Sequence, residues 1–67
     1  MNMPYKFPAI MLRVDAESGE HIDNIIHDAL EFSRTMRIKI VVGVGRGDLF
    51  VSPTDTQNEI KEQWLEL

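Results

Sequence analysis

Ile38-Lys39-Ile40-Val41-Val42-Gly43-Val44-Gly45-Arg46-Gly47-Asp48-Leu49-Phe50-Val51-Ser52-Pro53 is the stretch that decides the fold. From Ile38 to Val44 it is dense in β-branched residues, which lose rotamer freedom in a helix and pack well on a pleated strand. Ile38, Ile40, Val42 and Val44 alternate onto one face. Gly45, Arg46, Gly47 and Asp48 follow, a tetrad whose glycines tolerate positive φ, and Leu49, Phe50 and Val51 return as a second strand. The stretch is a β-hairpin.

Upstream, the hairpin is fed by the strongest periodic signal in the chain. Ile22, Ile25, Ile26, Ala29, Leu30 and Met36 recur at spacings of three and four, with Phe32 to the side, while Asp23, Asn24, His27, Asp28, Glu31 and Arg34 are polar. Asp15 and Ser18 are candidate N-caps, and Arg34 and Arg37 place cations where a helix ends, so a helix is expected over about 18–36. Before it, Ile10, Leu12 and Val14 alternate with Ala9, Met11 and Arg13, the period of a strand. Pro4 and Pro8 flank an extended lead-in that suits a sheet edge.

Downstream, Ser52 with Pro53 is one helix-start signal, and Thr56 with Glu59 is a capping box. Ile60, Trp64 and Leu67 then recur at helical spacing, which predicts a short C-terminal helix over about 54–66. The order is β-α-β-β-α in a single α+β domain, residues 1–67: a three-stranded sheet, one long amphipathic helix packed on it and a short terminal helix. The first strand joins either the second in parallel or the third in antiparallel fashion. The sheet's other face would carry Tyr5, Phe7, Met11 and Val41, too apolar for water. Either the terminal helix with Trp64 covers it or a second copy of the chain does, and a homodimer is expected.

Composition narrows the function. The chain has 67 residues, no cysteine and a net charge of −4, so one small domain must stabilise itself without disulfides or thiolate metal clusters. Eleven acidic against seven basic residues argue against a broad phosphate-gripping surface for nucleic acid. The segment Met1 to Phe7 has no charged region followed by a long apolar run, and no stretch approaches the roughly 18 apolar residues of a bilayer span, so a cytoplasmic protein without membrane partners is expected.

Catalytic constellations are absent from the pattern. Gly43-Val44-Gly45-Arg46-Gly47 resembles a phosphate-cradling loop, but a strand follows where such a loop needs a helix N-terminus. His21 and His27 are six positions apart, about 240° around a helix, and cannot share a metal. His27 has Asp23 and Glu31 one turn either way, which a solvated helix face explains as well. Ser18, Ser33 and Ser52 have no convergent base. No enzyme activity, cofactor or metal site is expected. Arg34, Arg37, Lys39 and Arg46 hold four of the seven basic residues and form a candidate anion-binding patch, with helix-end and edge-strand charge as the plainer explanation. Asp15, Glu17, Glu20, Asp23, Asp28 and Glu31 make the first helix acidic outside. Tyr5, Phe7, Met11, Val41 and Trp64 form the candidate self-association or partner face.

The run from Ile40 to Pro53, with Thr54-Asp55-Thr56 and then Glu59, Ile60 and Trp64, resembles small phage-encoded accessory proteins, in which a hairpin ending in valine and proline precedes a short helix ending in tryptophan. Arg46-Gly47 stands where the turn of those proteins carries asparagine. The resemblance implies a phage accessory protein and supplies no catalytic residue. The function expected is therefore a small non-enzymatic protein that modulates a host protein by protein–protein contact in the host cytoplasm. The alternative is an oligomeric binder that sequesters a small anionic, phosphorylated ligand.

Overall fold

A computed structural model describes residues 11–67. Tyr5 and Phe7, and the part of the first strand before Met11, lie outside the described residues. Strand β1 spans Met11–Asp15, helix α1 Ile22–Met36, strands β2 and β3 Lys39–Gly43 and Asp48–Val51, and helix α2 Gln57–Leu65. The α+β class and the β-α-β-β-α order are as the sequence predicts. The placement left open there is settled: β1 pairs with β2 in parallel, β2 with β3 antiparallel, and the order across the sheet is β1-β2-β3.

Register assigns the faces, because successive strand residues point to opposite sides. Leu12, Ile40 and Val51 are in line, as are Val14, Val42 and Leu49; these face the helices. Arg13, Val41 and Phe50 are in line on the other side, with Met11 beside Lys39 and Gly43 between Asp15 and Asp48. The core consists of Ile26, Ala29, Leu30, Ile40, Val42, Leu49, Val51 and Ile60.

Both helix starts differ from expectation. Helix α1 begins at Ile22 and not near 18, because Gly19 takes φ of 92°, a left-handed conformation that no α-helix contains. Ser18 lies in that turn, and the N-cap is His21, whose Nδ1 accepts from the Asp23 N–H at 3.1 Å. Helix α2 starts at Gln57. Ser52 and Pro53 belong to the preceding turn, closed by Asp55 Oδ2 accepting from the Ser52 N–H at 2.8 Å. The capping box forms as expected: the Glu59 N–H donates to Thr56 Oγ1 and the Thr56 N–H to Glu59 Oε1.

Helix α1 ends on Arg37, which holds φ 57° and ψ 48° and donates its N–H to the Ser33 carbonyl. The same carbonyl accepts from the Ile38 N–H at 3.2 Å, while the fully buried Ser33 hydroxyl donates to the Ile38 carbonyl at 2.6 Å. This reciprocal pair ties the helix end to β2 and satisfies main-chain groups that the helix alone leaves open.

Helix α2 does not cross the sheet's second face. It packs against α1 and β3 on the helical side, with Ile60 fully buried in the common core. Trp64 is half-buried against that core with the Arg46 guanidinium over its ring at 4.7 Å. Trp64 and the Met11–Val41 pair thus lie on opposite sides of the sheet. The candidate face that grouped them is corrected accordingly: α2 follows the apolar side on which Leu49 and Val51 lie, so Trp64 goes there too.

Candidate functional site

Two surfaces of the described residues combine exposed apolar side chains with charge. The first is the sheet's outer face. Val41 is buried at its centre, flanked by Met11, 51% exposed, and Phe50, 54% exposed. Arg13 reaches over β2 to Asp48 in a two-pronged ion pair with hydrogen bonds of 3.2 and 3.0 Å. That contact raises the Arg13 pKa above its ordinary value, since the carboxylate favours the charged guanidinium. Gly43 lies beneath this crossing: a Cβ there would come within 2.6 Å of Asp15 Oδ1, which would have to move aside, and would make ordinary contact with Arg13 Nη2 at 3.6 Å. At the outer edge of β3, the Gln63 amide pairs with the main chain of Phe50, accepting its N–H at 2.9 Å and donating to its carbonyl at 2.8 Å. A side chain thereby occupies a strand edge that would otherwise be open to pairing.

The second surface is a groove of about 460 Å³ between β1 and α1. Val14, Ala16, Ile25, Ala29 and Phe32 line it, with Ile40 and Val42 at its base. Asp15, Glu17, Glu20 and Asp28 stand around it. All four carboxylates are exposed, and among the described residues none has a cation within ion-pair distance. Among the described residues β1 is an edge strand, so no further strand lies over the side of α1 that carries Ile25, Ala29 and Phe32.

The four candidate anion-binding residues are not brought together. Arg34 is committed to the β3–α2 connection, donating through Nε to the Pro53 carbonyl at 3.1 Å and through Nη2 to the Asp55 carbonyl at 2.7 Å. Arg37 is the left-handed residue after α1, and Lys39 begins β2 on the outer face. Arg46 lies beyond the other end of β2, on the hairpin, stacked on Trp64. Strand β2 itself separates the two ends.

His27 is exposed on α1, and its neighbour Asp23 is engaged elsewhere, accepting from Lys61 Nζ at 2.8 Å. This contact lowers the Asp23 pKa below the usual carboxylate range, with nearby His21 a smaller contributor. Among the described residues no three His, Cys, Asp or Glu side chains are grouped to hold a metal, and no helix is long and apolar enough to cross a membrane.

Sequence reasoning missed Phe50 as an outer-face residue. Its signal is present in the alternation, since Phe50 sits between Leu49 and Val51, both in the core. The groove has no such local signal, because it depends on which strand lies beside β1. Compared with known proteins, the chain matches no protein family, no curated sequence and no solved structure.

Proposed function

We propose that this chain is a small non-enzymatic interaction protein, acting in the cytoplasm by protein–protein contact. The observation that carries the reading is the contrast between a closed core and the large apolar side chains left outside it. Among the described residues nine hydrophobic ones are buried, yet Phe32, Phe50, Met11 and Met36 are each more than 40% exposed. Exposed apolar area grouped with charge is the composition of a contact surface. The resemblance of the C-terminal half to phage accessory proteins supports a host protein as the target. The outer sheet face, with Met11 and Phe50 around Val41, supports self-association into a homodimer.

The alternative, a phosphorylated-ligand binder, has less support, because Arg34 donates to carbonyls, Arg46 stacks on Trp64, and the two lie at opposite ends of β2. Affinity capture from host lysate, followed by native mass spectrometry, tests the reading. A protein partner should be retained by the wild type and by the Arg37→Ala/Arg46→Ala double variant, and lost with Phe50→Asp or Phe32→Ser. A monomer that retains no protein overturns the reading. Retention of a small phosphorylated compound, abolished by the double arginine variant, transfers support to the alternative.

A further inference from the structure

We infer that the groove between β1 and α1 is the docking site for a basic, apolar peptide segment of a partner protein; the inference rests on the interaction reading above and specifies its surface. Ile25, Ala29, Phe32 and Met36 follow one another at spacings of four, three and four, so they form a single stripe along α1. Three turns of helix make that stripe about 16 Å long; Ile25, Ala29 and Phe32 line the groove itself and Met36 extends the stripe beyond its end. Leu12, 38% exposed on the helix-facing side of β1, continues the apolar wall opposite, and Met36 is 57% exposed. A surface of that length with apolar walls on two elements takes an elongated occupant, in the manner of a peptide laid in a groove.

Charge then selects the occupant's chemistry. Asp15, Glu17, Glu20 and Asp28 surround the apolar floor without a cation in ion-pair range among the described residues. Neighbouring like charges repel, and a segment carrying Lys or Arg on either side of two or three apolar residues relieves that repulsion as it buries the floor. A second copy of the chain is disfavoured by the same feature. A two-fold contact through this groove would set identical carboxylates against one another, in a chain of net charge −4. Four of the seven basic residues that could answer them, Arg13, Lys61, Arg46 and Arg34, are already engaged at Asp48, Asp23, Trp64 and the β3–α2 connection.

The test is a fluorescence anisotropy titration of the full chain with a labelled synthetic peptide in which Lys and Arg flank a Leu and a Phe. Binding should weaken as salt is added, and should fall about tenfold in Glu17→Lys/Glu20→Lys and about tenfold in Phe32→Ser. The double charge variant lies in the exposed connection before α1, so circular dichroism should show its fold intact, which keeps the test independent of any packing loss at Phe32. Amide shifts in a nitrogen-15 spectrum should cluster at Ala16, Ile25, Ala29 and Phe32. Equal binding of a peptide with Glu in place of Lys and Arg, or shifts clustered at Val41 and Phe50, overturns the proposal. So do concentration-dependent shifts at the groove without peptide, which would assign it to a second copy, and nuclear Overhauser contacts from Tyr5 or Phe7 to Phe32 in the free chain. Lysate capture lost with Phe50→Asp but kept with Phe32→Ser leaves the interaction reading standing and removes the groove from it.

Discussion

The two helices share one core and are held to it by different physics. Helix α1 buries Ile26, Ala29, Leu30 and Ser33, whereas α2 buries Ile60 alone. What α2 lacks in apolar area is made up by polar side chains that reach main-chain groups: Gln63 at Phe50, Gln57 at the Asp23 carbonyl, and Arg34 at Pro53 and Asp55. Lys61 adds an ion pair with Asp23, and Arg46 stacks on Trp64. A helix with an apolar stripe is positioned by area, and its neighbours need only be apolar. A helix with one buried residue is positioned by directional bonds, each of which requires a particular partner.

The largest effect should therefore come from the one residue that α2 buries fully. Ile60→Ala should cost about 2–5 kcal/mol, the range for emptying a core site, a large share of the stability of so small a domain. Urea denaturation followed by circular dichroism measures it. Ile26→Ala on α1 falls in the same range, but there the remaining stripe should keep the helix docked. The comparison breaks if Ile60→Ala costs less than about 1 kcal/mol, because α2 would then be held by its polar contacts alone.

Next in size is the junction between α1 and β2. Ser33→Ala removes the donor, itself fully buried, to the half-buried Ile38 carbonyl and should cost about 1–3 kcal/mol, as an acceptor left without its partner does. Ser33→Cys nearly preserves side-chain volume while weakening the donor, so a comparable loss in both variants assigns the effect to the hydrogen bond. A loss confined to Ala assigns it to packing.

The difference between the helices also explains how far the sequence can be read. Helix α1 is legible because its apolar positions repeat at three and four, and the hairpin because β-branched residues flank a glycine-bearing tetrad. The capping box at Thr56 and Glu59 is local and legible as well. The side of the sheet on which α2 lies is not, because Gln63, Gln57 and Arg34 find partners 13 to 34 positions away in sequence, and nothing near a glutamine announces which carbonyl it will meet. The start of α1 is misread for a related reason: Ser18 is a good cap by type, and only the positive φ of Gly19 disqualifies it. The hairpin reading already puts the length of β2 between Lys39 and Arg46; what the sequence does not reveal is that Arg34 is drawn to the Pro53 and Asp55 carbonyls and Arg46 to Trp64.

Removing the edge clamp should have a smaller thermodynamic effect and a more visible colloidal one. Gln63→Ala deletes two exposed hydrogen bonds to Phe50, a change of about 1 kcal/mol. It also opens the outer edge of β3 beside the exposed Phe50 ring, and an unpaired edge invites pairing with another chain. Sedimentation velocity should show Gln63→Ala associating at lower concentration than the wild type. An unchanged distribution would mean that the clamp only positions α2.

The smallest effect belongs to the Lys61–Asp23 pair, and its pH dependence is what distinguishes it. Contact with Lys61 lowers the Asp23 pKa in the folded chain, whereas an unfolded Asp titrates near about 3.9. Between those two values the unfolded chain binds more protons, so stability rises with pH across the window. The contribution is complete above the unfolded value and is lost as pH falls through the folded one. The stability difference between wild type and Asp23→Asn should thus stay level above about pH 5 and change as the pH drops below about 4. Both side chains are substantially exposed, so added salt should shrink the pH-dependent part. A difference that stays level through the acid range would show that Asp23 acts through the acidic first turn of α1 and not through the tie that joins α1 to α2.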